Sequence, residues 1–498
     1  MKISKALFFL YHIIKPSNPT KILFLYLFFL LNIAQCYIKI PLKYYPEKIY
    51  NETSPSNTMD NLVFQKLYST LEIGSPKQLI QIPVTFETSD FYISKNEDIV
   101  NDYKLQSLKI KLYNDKSSNS IKVLEDQGDT IYYGVNFFLA TKVKDLFYFG
   151  DKNVEMEFYL GEHLTEIMPG ELGLQLHPVT DLNTAFDSDE KSFLKKIKNN
   201  GLTNNYIWSI ILNKNNNNND NNNDGYLYIG DYLHNIDNKK YNEASLLSIN
   251  AYIYQNQVKP EFLMNKLIIY KNNNPNNIIN EIKLRRNCLR VNLDYHFGGI
   301  IGSEILRPYL EENIFTEENY CYKSTFKDKG TYHFYYCNNN ANKIKKIKTD
   351  FPTIQFTQQD LNYNFTIKGE DLFVEKDGFV FCLMIFNDYK KYEWKLGKPF
   401  IKKYAFMLDQ DGKALYFYSV IDEVIIQGVK STRLIFMIFV LLIIFSFLGF
   451  ILGRKIYRTK YKRYSNVLED SFEYNSSDEF KYEKTSREIE MKNKLVGD

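Results

Sequence analysis

"YSTLEIGSPKQLIQIPVTFETSDFYIS", residues 68–94, alternates apolar and polar positions on both sides of a Gly-Ser-Pro turn. That period of two predicts a pair of antiparallel strands, the second ending in a polar knot at residues 85–90 before a new apolar run begins. A polar loop set between strands of a buried sheet is where chemistry can be carried. What the knot contains therefore decides what the protein can do.

Around this stretch the chain has the means to build a large core. It has 498 residues, of which 44% are hydrophobic and 16% aromatic, enough for two or three structural units. Its 62 basic residues nearly cancel 59 acidic ones, and a net charge of +3 gives no long-range field for holding nucleic acid. Short segments rich in Tyr, Phe, Ile and Val recur between Asn, Asp and Gly clusters, which predicts a mostly β protein, with helices near residues 192–199 and 304–312. The Asn-rich run at residues 213–225, "NKNNNNNDNNNDG", cannot contribute to a core and is expected to be a solvated loop.

The two ends set the expected compartment. Residues 1–36 hold Lys21, an apolar run at 22–33 and then Ala34 and Cys36, the grammar of a cleaved signal peptide. Residues 434–452 are uncharged and, as a helix rising ~1.5 Å per residue, reach about 28 Å, which matches a hydrocarbon core of ~30 Å. Arg454, Lys455, Arg458, Lys460, Lys462 and Arg463 follow, so residues 453–498 are expected in the cytosol and residues 37–433 outside it. This is the topology of a single-pass type I membrane protein of the secretory pathway or cell surface. In the tail, "YSNV" (Tyr464 to Val467) resembles a Tyr-x-x-apolar sorting signal. Asn51 and Asn364 head sequons on the outer side, whereas that of Asn475 falls in the cytosol. Once Cys36 leaves with the signal, Cys288, Cys321, Cys337 and Cys382 remain, an even number in an oxidising compartment that predicts two disulfides.

The landmarks recur in a familiar order. "YSTLEIGSPKQ" (68–78), "VTFETSDFYISK" (84–95), "QGDTIYYG" (127–134), "PGELGLQ" (169–175), "NNGLTNNYIWSIIL" (199–212), "DGYLYIGDY" (224–232), "FPTIQF" (351–356) and "WKLGKPFIKKYAFMLDQDGKALYFY" (394–418) resemble, in sequence and spacing, the pepsin-like aspartic proteases, the family that includes the plasmepsins. The resemblance spans about residues 62–420. It implies an all-β, bilobal acid-protease fold whose lobes are related by a pseudo-twofold axis, the paired "ELG" (171–173) and "KLG" (395–397) marking the internal repeat. The chain then divides into a signal peptide (1–36), an N-terminal extension (37–61), an N-lobe (62–240), a C-lobe (241–426), the membrane helix (434–452) and the tail (453–498).

In this family each lobe supplies one Asp-Thr/Ser-Gly, and two carboxylates at hydrogen-bond distance share the work of activating water and protonating the carbonyl. Laid over the family pattern without a gap, the first aspartate is Thr85, followed by Phe86 and Glu87; a two-residue insertion puts Glu87 there instead. In the second lobe "CLRVNLDYHFGGIIGSEIL" (288–306) puts Leu293 at the aspartate, or Asp294 after a one-residue slip. The flap tyrosine becomes Gln127, and the apolar residues beside the catalytic loops become Glu171 and Lys395, opposite charges at pseudo-symmetric places that invite a cross-lobe ion pair. By the same resemblance Cys337 pairs with Cys382, which leaves Cys288 for Cys321. His163, His177, His234, His296 and His333 show no metal-ligand spacing, so neither metal nor cofactor is expected. The expectation is a membrane-anchored pseudoprotease that binds polypeptide. The alternatives are an active endopeptidase with an atypical Glu87 and Asp294 dyad, and a structural ectodomain for assembly with other membrane proteins.

Overall fold

The computed structural model describes most of residues 37–418. Residues 1–36 and 419–498, together with the internal stretches 51–52, 96–101, 125–128, 134–135, 163–167, 177–191, 214–222, 255–256, 265, 272–277, 284–288, 328–330, 359–362 and 388–393, lie outside the described residues. The expected signal peptide, membrane helix, tail motif at Tyr464 and Val467, Asn51, Gln127, His163, His177 and Cys288 all fall there. Among the described residues no helix is long and apolar enough to cross a membrane.

The described chain is mostly strand, as its alternating patterns require. The opening stretch forms two antiparallel strands, Gln65–Ile73 and Gln78–Thr85, in the register Tyr68↔Pro83 to Ile73↔Gln78. Gly74 turns between them with a φ of 85°, a left-handed conformation that glycine adopts without strain. One face of the pair, Leu71, Ile73, Ile80, Ile82 and Val84, is fully buried in the main core, which explains why the alternation is legible. The expected helices form at Phe193–Asn199 and Arg307–Asn313. The two ends of the Asn-rich run are tied as a hairpin by the pairing Leu212↔Gly225.

A 14-stranded sheet carries the first half of the chain, and the second half contributes to it. Strand Phe406–Asp409 pairs with Ile207–Leu212, and Ala414–Tyr418 and Leu246–Asn250 continue the sheet beyond it. The remaining described second-half strands form an 8-stranded sheet, a 4-stranded sheet and the two-stranded pair Tyr252–Tyr254 with Gln257–Lys259. The expected N-terminal extension carries regular structure. Ile38–Pro46 is a strand lying between Gly225–Ile229 and Gln65–Ile73, and Pro55–Val63 is a helix.

The disulfide expectation needs correction. Cys321 is bonded to Cys337, not to Cys288, and Cys382 is a buried free thiol, not the partner of Cys337. The reason is register. Cys321 and Cys337 stand directly opposite each other in the antiparallel pair Cys321–Lys327 and Thr331–Asn338, with Cα atoms 4.0 Å apart, whereas Cys382 on the next strand stands opposite Tyr335.

Candidate functional site

The same local construction occurs twice. In the first half, Gln78–Thr85 runs parallel to Gly170–Gly173, which pairs antiparallel with Phe91–Ser94 on its other side. In the second half, Leu289–Leu293 runs parallel to Trp394–Leu396, which pairs antiparallel with Ile300–Gly302. Each central strand ends in a glycine that passes through the loop joining its neighbours. Gly173 N donates to Asp90 O at 2.8 Å, and Gly397 N donates to Gly299 O at 3.1 Å. A Cβ on Gly173 would come within 2.5 Å of the Ser89 carbonyl carbon, and one on Gly397 within 2.0 Å of Phe297 O. No other residue fits either crossing.

Counting from these glycines equates the loops residue by residue. Thr85 corresponds to Asp294, Phe86 to Tyr295, Glu87 to His296, Asp90 to Gly299 and Glu171 to Lys395. Leu293 is a buried core residue, so its side chain faces the interior and Asp294 is the residue the loop presents. Glu87 lies two residues into the first loop and is exposed.

At the equivalent first positions the chemistry is unequal. Thr85 carries a hydroxyl, whose oxygen accepts from Glu87 N at 3.4 Å. Asp294 carries a carboxylate with full occupation: Oδ1 accepts from the backbone N–H of His296 (2.9 Å) and Phe297 (3.2 Å), and Oδ2 accepts from Lys395 Nζ at 2.7 Å. Burial disfavours the Asp294 charge, but the Lys395 ammonium and the donated hydrogen bonds outweigh it and hold the carboxyl below its ordinary range. Burial likewise works against the Lys395 charge, and Asp294, with Glu87 farther off, raises its pKa. Both members stay ionised around neutrality.

Each charged residue beside a Leu-Gly pair is engaged within its own half. Lys395 is on Asp294, while buried Glu171, 1% exposed, accepts a short hydrogen bond from Thr88 Oγ1. Asn364, the described sequon residue, is exposed on the strand Tyr363–Ile367 and accepts from Thr357 Oγ1 at 2.9 Å.

Between the loops lies an aromatic seam. The rings of the equivalent residues Phe86 and Tyr295 are 4.7 Å apart, and both pack on Trp208. His296 ties the second loop to the first half. Its Nδ1 accepts from Leu67 N at 3.1 Å, and its other side bonds the Val84 backbone. Burial, with Lys66 and Lys395 acting in the same direction, lowers its pKa to about 4 despite the nearby Asp294. Tyr44 Oη donates to Tyr295 O at 2.8 Å, a further bond across the halves. None of these seam residues was singled out for this role by sequence, although aligning the two loops on their Leu-Gly pairs would have matched Phe86 with Tyr295. Among the described residues no group of three or more His, Cys, Asp or Glu side chains is placed to hold a metal ion.

Compared with family models and with curated proteins, the chain matches none.

Proposed function

We propose that this chain is a bilobal, pepsin-like scaffold that holds an extended polypeptide beside its two loops and does not cleave it. The observation that carries this is the inequality of the loops: Thr85 stands where the second loop has Asp294, and Asp294 is bound by Lys395 at 2.7 Å. Peptide hydrolysis by a carboxylate pair needs one ionised and one protonated member sharing a water. A threonine cannot become the ionised member near neutral pH, and an aspartate neutralised by a lysine cannot be the protonated one. The alternative dyad of Glu87 and Asp294 lacks symmetry, because Glu87 corresponds to His296. The repeated loop construction supports the pepsin-like resemblance. The proposed setting is a type I membrane protein of the secretory pathway or cell surface, cleaved after residue 36, anchored by residues 434–452 and sorted through Tyr464 and Val467.

The test uses the full-length chain in detergent with a fluorescent, reduced and carboxymethylated polypeptide. Saturable binding, followed by recovery of the polypeptide at its original mass, is the expected result. Absence of binding, or recovery of fragments, would overturn the proposal.

A further inference from the structure

Between Ile38–Pro46 and Gln65–Ile73 the chain leaves the sheet and returns, closed at its base by Glu47 N donating to Phe64 O at 3.0 Å. Within this excursion Ser54 caps the helix Pro55–Val63 by accepting from Asn57 N at 3.2 Å, with proline in its first turn. Asp60, 3% exposed, is held from inside the same excursion by a short hydrogen bond from Tyr50 Oη and by Lys48 at 3.7 Å. Much of its polar chemistry is thus internal. Outward it presents Met59 and Val63, both fully buried against second-half residues that include Ile301, Phe334 and Phe381.

The excursion ends on the second loop. Gly298 N donates to Val63 O at 2.8 Å, and Phe64 forms an antiparallel bridge with Phe297. The Phe64 ring meets Phe297, Phe326 and Tyr332 edge-on, with centroids 5.8, 5.4 and 5.6 Å away. Gly298 admits this approach because a Cβ there would lie 1.8 Å from Leu62 O. Lys395 Nζ stands 5.5 Å from the Phe297 ring, so the aromatic that Phe64 covers also borders the Lys395 and Asp294 pair.

Residues 62–64 therefore do what an extended peptide does when it docks on a strand. The main chain pairs with a backbone N–H, and a side chain packs among the rings beside it. We propose that the segment 55–64 is an internal occupant of the second half's polypeptide-binding surface, and that the external ligand is an extended polypeptide carrying a Val-Phe-like aliphatic–aromatic pair. The ligand enters only when the segment lifts. This rests on the polypeptide-binding role proposed above, but it makes its own claims about which surface is used and what already fills it.

The test compares the full-length chain with its Phe64→Ala variant, using a fluorescent synthetic hexapeptide, Asn-Leu-Val-Phe-Gln-Lys, and a control with alanine in place of its phenylalanine. Removing the Phe64 ring is expected to tighten hexapeptide binding at least tenfold and to leave the control unbound. In the native chain, saturating hexapeptide is expected to speed hydrogen exchange at residues 55–64 while residues 67–73 keep their protection, a readout that does not require the variant to fold. Equal affinity for the two chains, or exchange at 55–64 unchanged by the peptide, would overturn the proposal. Hexapeptide binding without binding of the carboxymethylated polypeptide would leave the occupant standing and the general polypeptide role refuted; polypeptide binding with equal affinities would do the reverse.

Discussion

His296 shows how one residue can tie two halves of a fold together. Its Nδ1 must stay unprotonated to accept from Leu67 N, and the adjoining Lys66 and Lys395 oppose a further positive charge, while Asp294 is already occupied by Lys395. An unfolded histidine takes up a proton below about 6.5, whereas His296 resists until about 4. Over that window the unfolded state binds more protons, so stability is lost as pH falls, by up to about 3 kcal/mol. Asp294 acts lower: its carboxyl is depressed, so its contribution is present above an ordinary carboxylate pKa of ~3.9 and disappears only below it. Denaturant unfolding at pH 7 and pH 4.5 should show this loss in the native chain, and His296→Gln should flatten it. Equal pH slopes in the two proteins would show that the ring carries no such linkage.

Among the elements, legibility followed how much of the pattern was local. The strands Gln65–Ile73 and Gln78–Thr85 were readable because one face is buried and the turn has its glycine. The choice between Leu293 and Asp294 was not, because a one-residue slip at the end of an apolar run costs nothing in sequence, and only the parallel pairing Leu293↔Leu396 fixes it. The helix Pro55–Val63 is not among the expected helices: Ser54 caps it locally, but it packs on Phe297 and Ile301, far away in the chain. Cysteine pairing failed for the same reason, since neither the resemblance, which implied Cys337 with Cys382, nor counting, which left Cys288 for Cys321, supplies register. Non-reducing peptide mapping should find Cys321 joined to Cys337, and Cys382, whose thiol burial pushes up to about 12, should resist iodoacetamide until the protein unfolds. Replacing both Cys321 and Cys337 by serine should cost about 3 kcal/mol of stability. A peptide joining Cys337 to Cys382 would contradict the strand register itself.

Across the whole molecule, two halves built on one plan meet through Phe86, Tyr295 and Trp208, and Phe406–Asp409 and Ala414–Tyr418 from the second half complete the first half's sheet. The plan persists where geometry demands it, at Gly173 and Gly397, and departs where hydrolysis would demand matched acids, at Thr85 and Asp294. That combination is what the proposed reading rests on, a scaffold that holds a chain and does not cut it. The most direct measurement is the rate at which the full-length protein releases peptides from an unfolded substrate between pH 3.5 and 7, followed by mass spectrometry beside the Asp294→Asn variant. No release above the enzyme-free blank is predicted for either protein; cleavage by the native chain that Asp294→Asn abolishes would contradict the account.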